Sequence, residues 1–288
     1  MNPAPWPAPA KLNLFLHVLG RRPDGYHEIQ TVFQLIDLAD SLTIIARADA
    51  AIVRPEGPRE LPEAQDLCVR AARRLHAEGR VRQGAEIRLA KRIPVQGGLG
   101  GGSSDAATTL VALNEIWGLR LPVERLAAIG RELGADVPLF VRGHSAWAEG
   151  VGEALTPVEL PERHFAIVYP GAGVATADVF QAPELTRNSA KTTIRGFLKA
   201  GGRNDCEAVV AARHPRVAEA LAWLRQRGEA RLTGTGSCVF AAYADERSAR
   251  SALAGLPGAW TGFVARGLDR SPLQERLAAE RSCGGGPR

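Results

Sequence analysis

Five glycines crowd into six positions in KRIPVQGGLGGGSSDAATTLVALNEIWG, residues 91–118, and the chain then runs directly into a helical pattern. Glycine accepts positive φ and lets another group approach the main chain closely. A glycine loop that opens onto a helix aims several free N–H groups, and the positive end of the helix dipole, at one spot. That spot suits phosphate. The loop runs from Pro94, Val95 and Gln96 through Gly97, Gly98, Leu99, Gly100, Gly101 and Gly102 to Ser103 and Ser104. Ser103, Ser104 and Asp105 are residue types that cap a helix start, and AATTLVALNEIW continues as the helix. A merely flexible loop does not join a well-formed helix so abruptly. A dinucleotide-binding fingerprint needs an acidic residue ending a second strand about 20 residues on, where this chain is still helical. A P-loop needs Gly-Lys-Ser/Thr, and the sequence here is Gly-Ser-Ser. Phosphate binding stands while both common nucleotide folds are disfavoured.

Around this loop, alternation and spacing predict an α+β chain. Strands are expected at 10–20, at 85–94 leading into the glycines, and twice within 25–47 with a turn near Asp40-Ser41. Helices are expected over 63–79, 103–117 and 122–133, with 137–155 returning to strand and turn. A second set starts with the strand HFAIVYPG (164–171). Helices around 175–181, 204–212 and 216–228 follow it, then two short strands around Gly-Thr-Gly within 230–244, then a last strand in GAWTGFVARGL. The halves are expected to meet near residue 155, giving domains over 1–155 and 156–278, with 279–288 a tail without packing.

Charge and cysteine usage narrow the class. The net charge of +5 is spread along the chain, so a solvated basic surface is expected and not a nucleic-acid tract. Cys68, Cys206, Cys238 and Cys283 lack metal-ligand spacing and suggest a reducing compartment. The opening MNPAPWPAPAKLNLFLHVLG does not read as a secretory leader, and no apolar run nears the ~20 residues that span a bilayer. A cytoplasmic location is the expectation, without a membrane partner, as a monomer or homodimer. Read locally, Lys11 is a strand-end lysine or a cleft lysine, and Asp136 is a helix-terminal or turn aspartate. TGTGSCVFA read alone is a tight hairpin.

Four segments together carry a family resemblance: PAPAKLNLFLHVLGRRPDGYHEIQTVFQLIDLAD, IPVQGGLGGGSSDAA, GADVPLF (134–140) and TGTGSCVFA (233–241). In this order they resemble the GHMP small-molecule kinases over nearly the whole chain. RRPDGYHEIQTVFQ and GGLGGGSSDAA are most similar to a branch whose alcohol acceptor carries a cytidine diphosphate. Gln96 departs from the glycine some members have there. The resemblance implies a two-domain α+β fold with ATP and acceptor in the cleft between the halves. It makes Lys11 and Asp136 catalytic, with Asp136 taking the acceptor's proton and Lys11 steadying both Asp136 and the developing phosphoryl charge. It makes TGTGSCVFA a closure of the active site from the C-terminal half. Residues 94–104 would hold ATP. No protein-made metal cage is expected, so Mg²⁺ would arrive with ATP, within reach of Ser103 or Ser104. Tyr26 and Phe180 would sandwich the pyrimidine, His27 would read its edge, and Asn13, Asp136 and Thr176 would meet the rest of the acceptor. Homoserine, mevalonate or a sugar are rival acceptors, and a nucleotide-binding regulator without catalysis is a rival of another class.

Overall fold

The computed structural model describes residues 3–57 and 62–283. The first half contains β1 (Trp6–Arg21), β2 (His27–Arg47), β3 (Ile52–Glu56), α1 (Leu67–Gly79), β4 (Gly84–Ala90) and α2 (Gly101–Ile116). It continues through α3 (Val123–Leu133), α4 (Val137–Arg142), β5 (Ala146–Glu149) and β6 (Ala154–Pro157). The second half has β7 (His164–Tyr169), α5 (Thr176–Gln181), α6 (Ile194–Ala200), α7 (Glu207–Arg213) and α8 (Pro215–Arg225). It ends with β8 (Arg231–Leu232), β9 (Val239–Tyr243), α9 (Glu246–Ala252), β10 (Thr261–Leu268) and α10 (Pro272–Cys283).

One sheet crosses both halves in the order β3-β4-β2-β10-β7-β9-β8, with β1 and β5 also on β2 and β6 on β5. The long strand β2 is the hub. No turn interrupts it at Asp40-Ser41, contrary to the expectation from those two polar residues. Asp40 is buried within the strand, where it accepts from the Arg92 and Ile93 amides at 2.5 and 2.9 Å and pairs with Lys91. A turn-type residue here serves as an internal anchor, and it ends β4 at Ala90, short of the expected 94.

Residues 137–142 form a helix where a strand was expected. A short apolar run does not distinguish the two by periodicity; Pro138, at a first-turn position, was the available signal. α1 begins at Asp66, whose carboxylate accepts from the Cys68 and Val69 amides at 2.7 and 3.3 Å. Its apolar stripe packs with α2, α3 and α4 over the sheet in the first core. A second core lies among β7, β9 and the helices of the second half.

A third cluster is shared by both halves: Leu12 and Ile36 meet Ile93, Leu99, Phe165 and Phe240. Leu99 is the one side chain among the crowded glycines, and its burial, worth about 1.5–3 kcal/mol, plugs the loop into this seam. The expected boundary at residue 155 falls inside β6. The C-terminal segment also returns to the first half: Gly267 and Leu268 pair with Ile36 and Leu35, and Leu273 joins the first core. Residues 279–283, expected as tail, complete α10; 284–288 lie outside the described residues.

Candidate active site

The glycine loop is stitched to the second half through its backbone. Gln96 carbonyl accepts from the Val174 and Ser237 amides at 3.3 and 3.2 Å, and Gly97 carbonyl from Cys238 at 3.0 Å. Leu99 carbonyl accepts from the Lys11 amide at 3.0 Å. The glycines answer mainly to this packing. A Cβ on Gly97 would stand 2.8 Å from Cys238 Sγ, and one on Gly98 (φ 76°) 2.9 Å from the Gly236 carbonyl. One on Gly100 would stand 2.9 Å from Phe140 Cζ, and one on Gly101 2.9 Å from Ile93 Cγ2. Only at exposed Gly102 would a Cβ meet ordinary contact, 3.4 Å from Leu67. Side chains are thus excluded from four of the five positions by neighbouring protein, which draws the backbone into a fixed curve.

The cap of α2 is Gly100, in the left-handed conformation, and not Ser103, Ser104 or Asp105. The helix starts earlier than expected because the positive φ of Gly100 makes the turn. Ser103 lies in the first turn beside the cavity, whereas Ser104 is fully buried, its hydroxyl without a hydrogen-bond partner, and does not line the cavity. The N-terminal amides of α2, from Gly101 to Ser103, open onto a cavity of about 900 Å³.

Lys11, on β1, is buried, and its ammonium lies 2.5 Å from Asn13 Oδ1 and 3.5 Å from Asp136 Oδ2. It also sits 5.3 Å from the Phe33 ring centre. Asp136, immediately before α4, is three-tenths exposed and lines the cavity. Asn13 is also engaged with Thr31 Oγ1 at 2.9 Å through Nδ2, and its amide donates to Thr233 Oγ1 at 2.9 Å. Its carboxamide therefore holds Lys11 from below.

The exposed Arg22–Tyr26 turn presents Tyr26, which is 65% exposed, to the cavity, and the chain then enters β2 at His27, which is buried. Phe180 on α5 stacks on the His27 ring, centroids 5.1 Å apart at 26°. Burial first, then the Arg187 and Arg21 cations, hold the His27 pKa below the usual imidazole range. Thr176 shares a hydrogen bond with Thr235 at 2.9 Å. Asn204 fixes that loop by donating to the Leu232 and Gly234 carbonyls at 2.8 and 2.7 Å.

The cavity thus gathers Lys11, Asn13, Tyr26, His27, residues 94–103, Asp136, Thr176 and Phe180. Sequence reasoning missed the buried group beside it. Lys91 bridges Asp40 and Asp105, the latter at 2.8 Å, directly under the first turn of α2. Burial pushes Asp105 up to about 7 against the pull of Lys91. The signal was Lys91 and Asp105 flanking the glycines at either end; Asp40 was hidden as a turn residue. Among the described residues, no group of three or more carboxylates, imidazoles or thiols is placed to hold a metal.

The chain belongs to the GHMP kinase family: residues 66–144 match the GHMP kinases N terminal domain and residues 184–261 the GHMP kinases C terminal domain. Its relatives there are more particular. The 4-diphosphocytidyl-2-C-methyl-D-erythritol kinase of Alkalilimnicola ehrlichii is 55% identical over 96% of this chain and 95% of its own length. The kinase of the same name from Halorhodospira halophila is 53% identical over 97% and 98%. A crystal structure of 4-(cytidine 5'-diphospho)-2C-methyl-D-erythritol kinase matches with a TM-score of 0.81 at 33% identity, covering 91% of this chain and 98% of that one.

Proposed function

We propose that this enzyme transfers the γ-phosphoryl group of ATP to the C2 hydroxyl of 4-diphosphocytidyl-2-C-methyl-D-erythritol, giving the 2-phosphate and ADP. The reaction belongs to the non-mevalonate route to isoprenoid precursors. The observation that carries the reading is one cavity joining a phosphate cradle, the Lys11–Asp136 pair and an aromatic end, in a chain 53–55% identical over nearly its full length to kinases named for that acceptor.

The chemistry follows from placement. Phosphoryl transfer asks mainly for positioning and charge stabilisation. The amides at the start of α2 receive phosphate oxygens, and the glycine curve holds them in place. Asp136 takes the proton of the attacking hydroxyl. Lys11, held by Asn13, keeps Asp136 oriented and faces the charge that develops on the transferred group. Mg²⁺ supplied with ATP would neutralise phosphate charge, and the Ser103 hydroxyl, in the first turn of α2 on the cavity, would help to hold it. Tyr26 and Phe180 take the cytosine, with His27 at its edge.

Two features favour this acceptor over homoserine, mevalonate or a sugar. Those substrates have no flat group for the Tyr26–Phe180 end, and the closely related kinases are named for the cytidylyl acceptor. The presence of both Lys11 and Asp136 disfavours a regulator without catalysis. Among the described residues no helix is long and apolar enough to cross a membrane, and a cytoplasmic enzyme fits that finding. The test is ADP release by the purified enzyme across the four acceptor types. Turnover confined to the cytidylyl acceptor is expected; equal or faster turnover of another alcohol overturns the reading.

A further inference from the structure

Arg187 lies outside the cavity lining, yet all five of its N–H donors are engaged. Nη2 donates to the Phe180 and Ala182 carbonyls at 2.9 and 2.7 Å, and Nη1 to the Leu185 and Pro183 carbonyls at 3.1 and 3.4 Å. The fifth donor, Nε, points at His27 Nε2 from 3.1 Å. Four carbonyls around the end of α5 therefore hold the guanidinium in one orientation, where the negative end of the helix favours a cation. A guanidinium has no acceptor and does not lose its proton in proteins. Nε2 of His27 must then be the acceptor, and the single ring proton of the neutral imidazole sits on Nδ1. Burial and the two nearby arginines, Arg187 and Arg21, oppose a second proton. Nδ1 has no hydrogen-bond partner among the described residues, and His27 lines the cavity.

We propose that Arg187 is a positioning residue for base selection: it fixes His27 as a hydrogen-bond donor through Nδ1, and so sets the preference for cytosine over uracil. This rests on the acceptor reading above. The N3 atom of cytosine is an acceptor and meets the Nδ1–H. In uracil N3 carries a hydrogen, so two donors would face each other. Stacking on Phe180 is blind to this difference; the discrimination comes from the repulsive arrangement for the wrong base. Arg187 also ties Phe180 to His27, since its contacts with the Phe180 carbonyl and the His27 ring hold the stacked pair in register.

The first measurement is ¹⁵N NMR of histidine-labelled full-length enzyme without ligand. His27 should show a protonated Nδ1 and an unprotonated Nε2. This needs no mutation and does not depend on the acceptor. The second compares CDP and UDP as competitors of the acceptor, with the Michaelis constant for ATP followed alongside. In the parent CDP should compete better than UDP. Arg187→Met should let the proton move to Nε2 and lower the CDP-over-UDP preference by about tenfold or more, with the ATP constant unchanged. Arg187→Lys, which keeps a cationic donor, should retain the tautomer and part of the preference. The proposal is overturned if parent His27 carries its proton on Nε2, or if Arg187→Met keeps both tautomer and preference. It is also overturned if folded parent binds CDP and UDP equally well. A parent with the expected tautomer that binds neither nucleotide would instead sink the acceptor reading.

Discussion

Substituting Gly101 and its neighbour Gly102 separates two roles that the glycine cluster combines. The Cβ of Gly101→Ala would stand 2.9 Å from Ile93 Cγ2 and 3.2 Å from both Ile93 Cβ and Lys91 Nζ. Ile93 cannot yield easily, because its amide is held by Asp40 and its side chain by the shared seam. Lys91 is held by Asp40 and Asp105. Overpacking of this kind costs about 1–3 kcal/mol, against a helix-propensity gain of at most about 1 kcal/mol. The Cβ of Gly102→Ala meets only Leu67 at 3.4 Å and keeps the propensity gain. Gly101→Ala should therefore melt below Gly102→Ala, by roughly 2–4 °C for each kcal/mol separating them. Gly102→Ala, at the open side of the cradle, should raise the Michaelis constant for ATP without loss of stability. Differential scanning fluorimetry and initial-rate kinetics on both variants decide the matter. If Gly101→Ala is as stable as Gly102→Ala and differs from the parent only in ATP affinity, its Cβ faces phosphate and the packing argument is refuted.

Asn13→Ala should lower kcat about tenfold by freeing Lys11, with the acceptor constant little changed; a selective rise in that constant would mean Asn13 binds the acceptor itself. Tyr26→Ala should leave stability intact, given its exposure, and weaken the acceptor by the 1–3 kcal/mol typical of a lost base stack; unaltered acceptor affinity would remove Tyr26 from the clamp. Asp105 has a folded pKa of about 7 against an ordinary 3.8, so the folded state keeps an extra proton in that window and stability falls as pH rises through it. Asp105→Asn should flatten this fall between about pH 4 and 7, and melting curves of the two proteins that stay parallel across that range would contradict the assignment.

The elements that were legible in the sequence are those whose pattern is local. The helix after the glycines, the 123–133 helix and the short pair around Gly-Thr-Gly follow from spacing and turn residues. Asp40 was misread because a buried aspartate within a strand looks like a turn until its partners, the Lys91–Ile93 segment, are known to lie beside it. α4 was misread because five apolar residues in a row carry no period. Its Asp136 was legible as a turn or helix-terminal residue, and only the resemblance made it chemical. The same limit applies to the glycines: the cluster announces a tight loop, but Cys238, Gly236, Phe140 and Ile93, which exclude a Cβ at four positions, are distant in sequence or silent in it. Arg187 left no local sign at all, since its contacts are with backbone carbonyls and with a histidine at the start of β2.

The central claim is that the Lys11–Asp136 pair performs the transfer within this cavity, and Asp136→Asn probes it most directly. The amide keeps the shape of the side chain and an oxygen for Lys11, but it does not accept the hydroxyl proton. Single-turnover measurement with MgATP and 4-diphosphocytidyl-2-C-methyl-D-erythritol, alongside direct binding of each substrate, separates chemistry from affinity. The rate of phosphoryl transfer should fall by at least ~10²-fold, the scale of a lost general base, while both binding constants stay near those of the parent. A folded Asp136→Asn enzyme that transfers phosphate at close to the parental rate would contradict the account.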